Sequence, residues 1–91
     1  MEPSTVRLSA LEGEPLTDPR VRDTVVATVH AIAERTGIEL ESAVPEASSL
    51  TVTIRADRLA ALGFVAELRR VTDAWHRGRT GRTLWGGPPA A

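Results

Sequence analysis

His30 and Glu34 stand one helical turn apart, with Asp23 two turns before His30, so an acid/base pair or part of a metal site can be drawn on one helix face. Zinc requires three or four convergent ligands, and the second histidine, His76, falls on the polar face of a different segment. Solvated helix polarity accounts for the same residues more simply. There is no cysteine and no tyrosine, and none of the serines and threonines sits in a nucleophile elbow. The basic run Gly78-Arg79-Thr80-Gly81-Arg82 contains glycine, but it follows a helical pattern, whereas a phosphate-cradling loop follows a strand. The expectation from chemistry is therefore negative: no catalytic residue, no cofactor and no metal.

Charge is more informative. Residues 1–54 hold four arginines against nine carboxylates, a net of −5, and residues 55–91 hold seven arginines against three, a net of +4. An acidic body is thus joined to a basic C-terminal segment, an asymmetry that bears on association rather than on catalysis. Every basic residue is arginine, which most simply reflects a coding bias. Arg58, Arg69, Arg70, His76 and Arg77 lie outside the apolar stripe of the second helix, and Arg79 and Arg82 continue the segment. Glu67 and Asp73 interrupt the row, and a dedicated nucleic-acid binder is usually basic overall, so docking to an acidic protein surface fits these charges better. Trp85, in a glycine- and proline-rich tail beside Arg82, is expected to anchor an interface if exposed; the alternative is that Leu84 and Trp85 close the sheet edge or cover the helix end. Trp75 lies on the apolar stripe and is expected in the core.

The elements that must carry these residues follow from periodicity. Thr5–Ala10 alternates with period two and predicts a strand burying Val6, Leu8 and Ala10. Asp18-Pro19 supplies a cap followed by proline at the first helical position, and Val21, Val25, Val29 and Ile32, flanked by Val26 and Ala33, form one stripe that Gly37 ends. Two antiparallel strands are predicted next, one with Ile38, Leu40 and Val44 inward and one with Leu50, Val52 and Ile54 inward. A second helix, capped by Asp57, carries Phe64, Leu68, Val71 and Trp75 on its stripe and is expected to stop at Gly78.

The order is βαββα with a further edge strand at 82–85. It predicts an α/β (α+β two-layer) sandwich of ferredoxin-like type: an antiparallel sheet with two helices on one face, residues 1–78 forming the domain and 79–91 a basic, then Gly/Pro-rich tail. Several functions of that architecture leave marks that are missing. No cysteine pair serves a metal chaperone, no aromatic sits on the central strands for base stacking, and Glu12-Gly13-Glu14 stands where an acylphosphatase-like loop would bind phosphate. Gly86-Gly87 invites a ubiquitin-like reading, yet a single strand before the helix departs from a β-grasp.

No apolar run approaches the roughly 20 residues that span a bilayer, and the N-terminus lacks the pattern of a signal peptide, so no membrane association and a cytoplasmic location are expected. The functional expectation is a non-enzymatic protein–protein interaction module, a homo-oligomer or a small subunit or adaptor. Arg69, Arg70, Arg77, Arg82 and Trp85 are its contact residues. A small-ligand-binding regulatory domain, or weak nucleic-acid backbone binding through the same arginines, is the alternative.

Overall fold

Alternation of Val6 and Leu8 with Thr5, Arg7 and Ser9 forms the first strand, β1 (Ser4–Ser9), one face buried and the other open. The computed structural model describes residues 2–86, so the expectations that concern Gly87–Ala91 lie outside the described residues. A 3-10 turn at Pro15–Thr17 buries Leu16, whose N–H donates to the Ala47 carbonyl at 3.0 Å. Helix α1 (Pro19–Thr36) starts as its sequence predicts: the Asp18 side chain accepts from the Arg20 N–H at 2.9 Å, and proline occupies the first turn, where no N–H is needed. Gly37, with φ 73°, closes it in the left-handed region. The anticipated stripe of Val21, Val25, Val29, Ile32 and Ala33 is buried.

Strands β2 (Glu39–Pro45) and β3 (Ser49–Arg55) complete a three-stranded antiparallel sheet of order β1-β3-β2. Because β1 and β2 both run antiparallel to the strand between them, they are parallel to each other, and α1 is the connection between them. Helix α2 (Arg58–Thr80) follows, capped by Asp57, which accepts from the Ala60 N–H at 2.8 Å. The result is an α+β domain in which Val6, Leu8, Leu50, Val52 and Ile54 from one sheet face share a single core with the inner faces of both helices. The opposite sheet face is polar: Thr5 and Thr53 share a 2.9 Å hydroxyl hydrogen bond, and Arg55 pairs with Glu39 at 2.9 Å and Glu41 at 3.2 Å.

Three expectations are corrected here. Val44 is not a core residue. A bulge between Leu40 and Ser42 inserts Glu41 and inverts the alternation, so Ala43 faces the core and Val44, 50% exposed, faces outward opposite Thr51. Helix α2 does not stop at Gly78 but runs to Thr80, and Gly81, with φ 78°, supplies the cap by donating its N–H to the Arg77 carbonyl at 2.8 Å. Residues 82–85 form no strand; Trp85 makes one isolated antiparallel bridge to Ala10. Among the described residues, no helix is long and apolar enough to cross a membrane.

Candidate functional site

Three α2 side chains at i, i+3 and i+4, Arg69, Thr72 and Asp73, share one helix flank and catch the chain as it returns. Asp73 Oδ1 accepts from the Leu84 N–H at 2.8 Å and from the Trp85 N–H at 3.0 Å. Thr72 is fully buried, and its hydroxyl lies 2.6 Å from the Leu68 carbonyl, to which it donates, while accepting from the Trp85 indole N–H at 2.8 Å. Arg69 donates to the Gly86 carbonyl. Two main-chain bonds, Gly86 N–H to the Ser9 carbonyl at 2.8 Å and Leu11 N–H to the Leu84 carbonyl at 3.0 Å, attach the same segment to the end of β1.

This arrangement corrects the expectation for Trp85. It is 2% exposed and belongs to the core, together with Leu84, so it is not a surface anchor. The chemistry explains the exchange: a buried indole needs a hydrogen-bond acceptor, and Thr72 supplies one. Trp75, expected inside, is only half-buried, and the Arg79 guanidinium lies 4.8 Å from its ring centroid. Trp75 packs against the margin of the core, while Trp85 is enclosed within it. Helical periodicity assigned Trp75 and Val71 to the core but passed over Thr72. The only sequence signal for the clamp was the spacing of three polar residues beside the stripe.

The remaining arginines on the proposed surface differ in engagement. Arg70 is exposed and pairs with Glu67 at 2.8 Å, and Glu67 also meets Arg35 at 3.3 Å, tying α2 to α1. The Arg70 hydrogen bond holds the Glu67 carboxyl below its ordinary range, with partial desolvation opposing and Arg35 assisting. The same bond raises the Arg70 guanidinium. Arg82 is exposed and pairs with Glu12, a residue of the acidic half. Arg77 is exposed, and its guanidinium has no hydrogen-bond or ion-pair partner among the described residues.

An apolar groove of about 480 Å³ lies between the helices, lined by Ala27, Thr28, Ala31, Ile32 and Val71 together with Arg35 and Glu67. His30 is exposed on α1, and Asp23 lies 3.5 Å from Arg22, its neighbour in the chain. Among the described residues no three His, Asp or Glu side chains gather as a metal-binding group. What the surface offers chemically is guanidinium groups for carboxylates and one half-exposed indole. No protein-family model matches this chain, and comparison with curated proteins gave no match.

Proposed function

We propose that this protein is a non-enzymatic, cytoplasmic protein–protein interaction module of ferredoxin-like fold, acting as a small subunit, adaptor or homo-oligomer. Its contact surface is the C-terminal half of α2 and the segment after it, with Arg70, Arg77 and Arg82 as contact residues. The fold assignment is supported by the βαββα order and by a sheet in which β3 separates the parallel pair β1 and β2, the pattern of a split βαβ unit. The observation that supports the interaction most is the surface at the end of α2. There the Arg77 guanidinium has no partner among the described residues and Arg79 stacks on the half-exposed Trp75, residue types that dominate binding hot spots. The complementary partner is an acidic protein surface, of which the first 54 residues, with their net of −5, are one example.

Light scattering at low and high salt tests this, with Arg70→Glu/Arg77→Glu as the variant. Arg69 is left intact because it holds Gly86. Under this reading the wild type is a salt-sensitive oligomer or binds an acidic partner, and the variant is a folded monomer. An oligomer indifferent to both salt and charge reversal would rule out the arginine surface. A small-ligand role has one specific observation in its favour, the helix groove, whose volume falls in the range of ligand sites. Thermal stabilisation by a metabolite, lost in Ala31→Trp, would be its signature.

A further inference from the structure

Among the described residues, the outer edge of β1 is open along most of its length. The Ala10 N–H donates inward to the Ser48 carbonyl, and the Ser9 carbonyl accepts outward from Gly86, so residues 4, 6, 8 and 10 bond toward β3 while 5, 7 and 9 point their main-chain groups away from it. Among the described residues, only the Ser9 end is engaged. The N–H and C=O groups of Thr5 and Arg7 have no partner among the described residues. Beside this edge lies a second groove, about 240 Å³, lined by Pro3, Ser4, Val6, Arg58, Ala61 and Leu62. Two leucines of the first turns of α2 are exposed, Leu62 at 36% in the groove lining and Leu59 at 81% beside Arg58 in the chain. An edge with free ladder groups, flanked by exposed apolar side chains, is a template for an added strand.

Charge selects the occupant. Arg7 lies on the open sheet face and Arg58 lines the groove on the helix side, so a guanidinium flanks each side of the edge. Neither has a carboxylate partner among the described residues; Arg7 donates only to the Ser49 hydroxyl, at 3.2 Å. The chain itself shows what such an arginine does to a neighbouring strand: Arg55 on β3 holds two carboxylates of β2, Glu39 and Glu41. We propose that the β1 edge binds an extended acidic segment of a partner protein, which adds antiparallel as a fourth strand. In the register set by Thr5 and Arg7, the residue opposite Arg7 is acidic and the next is apolar, seated on Val6, Ala61 and Leu62. The residue opposite Thr5 is polar, and the one opposite Ser4 is acidic and meets Arg58. This surface is separate from the arginines at the far end of α2, and the proposal does not rest on them.

The test is amide hydrogen exchange on the full chain with a synthetic peptide, Thr-Glu-Val-Thr-Glu-Thr, and its counterpart with lysine for glutamate. The acidic peptide is expected to slow exchange at the Thr5 and Arg7 amides about tenfold, leaving core amides such as Val25 unchanged. The lysine peptide is expected to have no effect. Arg7→Glu and Arg58→Glu are each expected to weaken binding about fivefold or more, while Arg70→Glu/Arg77→Glu leaves it unaltered. Equal protection by both peptides, or by neither, overturns the proposal. So does protection of Thr5 and Arg7 in the free protein: if independent of concentration, the chain covers its own edge, and if rising with concentration, the occupant is a second copy.

Discussion

Removing the Thr72 hydroxyl while keeping its shape, as in Thr72→Val, leaves the Trp85 indole N–H in the core with no acceptor. The expected loss is about 1–3 kcal/mol, the cost of an unsatisfied buried donor. Urea denaturation should show a lower midpoint at unchanged m value, and Thr72→Ser should restore most of it. Glu67 makes a different kind of prediction, about pH. Its folded-state carboxyl is held below its unfolded value, chiefly by Arg70, so its contribution is present above the ordinary carboxylate range and is lost as pH falls through the lowered folded value. Glu67→Gln should therefore lower stability at neutral pH and flatten the acid limb by the same amount, a small one because the pair is solvent-screened, and leave stability at the acid end of the profile unchanged. A variant whose acid limb is as steep as the wild type's would remove Glu67 from the pH response.

At the scale of elements, the end of α2 separates two glycines that look alike in sequence. Gly78 lies inside the helix, and a Cβ built there meets nothing within 4 Å, whereas Gly81 has φ 78°. Gly78→Ala is expected to stabilise the protein by about 0.5–1 kcal/mol through helix propensity. Gly81→Ala is expected to destabilise it by a similar amount, since an L side chain resists the left-handed region. Thermal unfolding of the two variants should move the melting temperature in opposite directions. The β2 bulge shows the same dependence on neighbours. Ile38-Glu39-Leu40-Glu41 alternates cleanly, but one inserted residue moves Val44 from the core to solvent, and that insertion depends on pairing with β3.

For the whole molecule, the division of charge sets the expected response to ionic strength. Exposed charges separated by more than about 8–10 Å are screened at physiological salt, so an assembly joining the basic end of α2 to an acidic body should weaken as salt rises. One such contact already exists within the chain, between Arg82 and Glu12. Arg82→Glu is expected to loosen the attachment of residues 82–86, read as faster amide exchange at Leu84 and Trp85, without global unfolding. The Asp73 and Thr72 contacts that hold the same segment remain in that variant.

Element order, the caps at Asp18 and Asp57, the αL glycine at 37 and most of the core stripe of each helix were legible in the sequence. They depend on interactions within a few residues, where spacing alone decides which side chains share a face. The arginines at 70, 77 and 82 were likewise legible as surface residues, since long charged side chains seldom lose their water. What only the tertiary structure decided was the fate of the chain after α2. Burial of Trp85 rather than Trp75 depends on Asp73, Thr72 and Arg69 meeting main-chain and indole groups 11 to 17 residues away, and on the end of β1 accepting Gly86. Local periodicity reports which face of a helix is apolar, not which distant segment will arrive to cover its flank. Long-range hydrogen bonds settled that, and with it which tryptophan was fully enclosed.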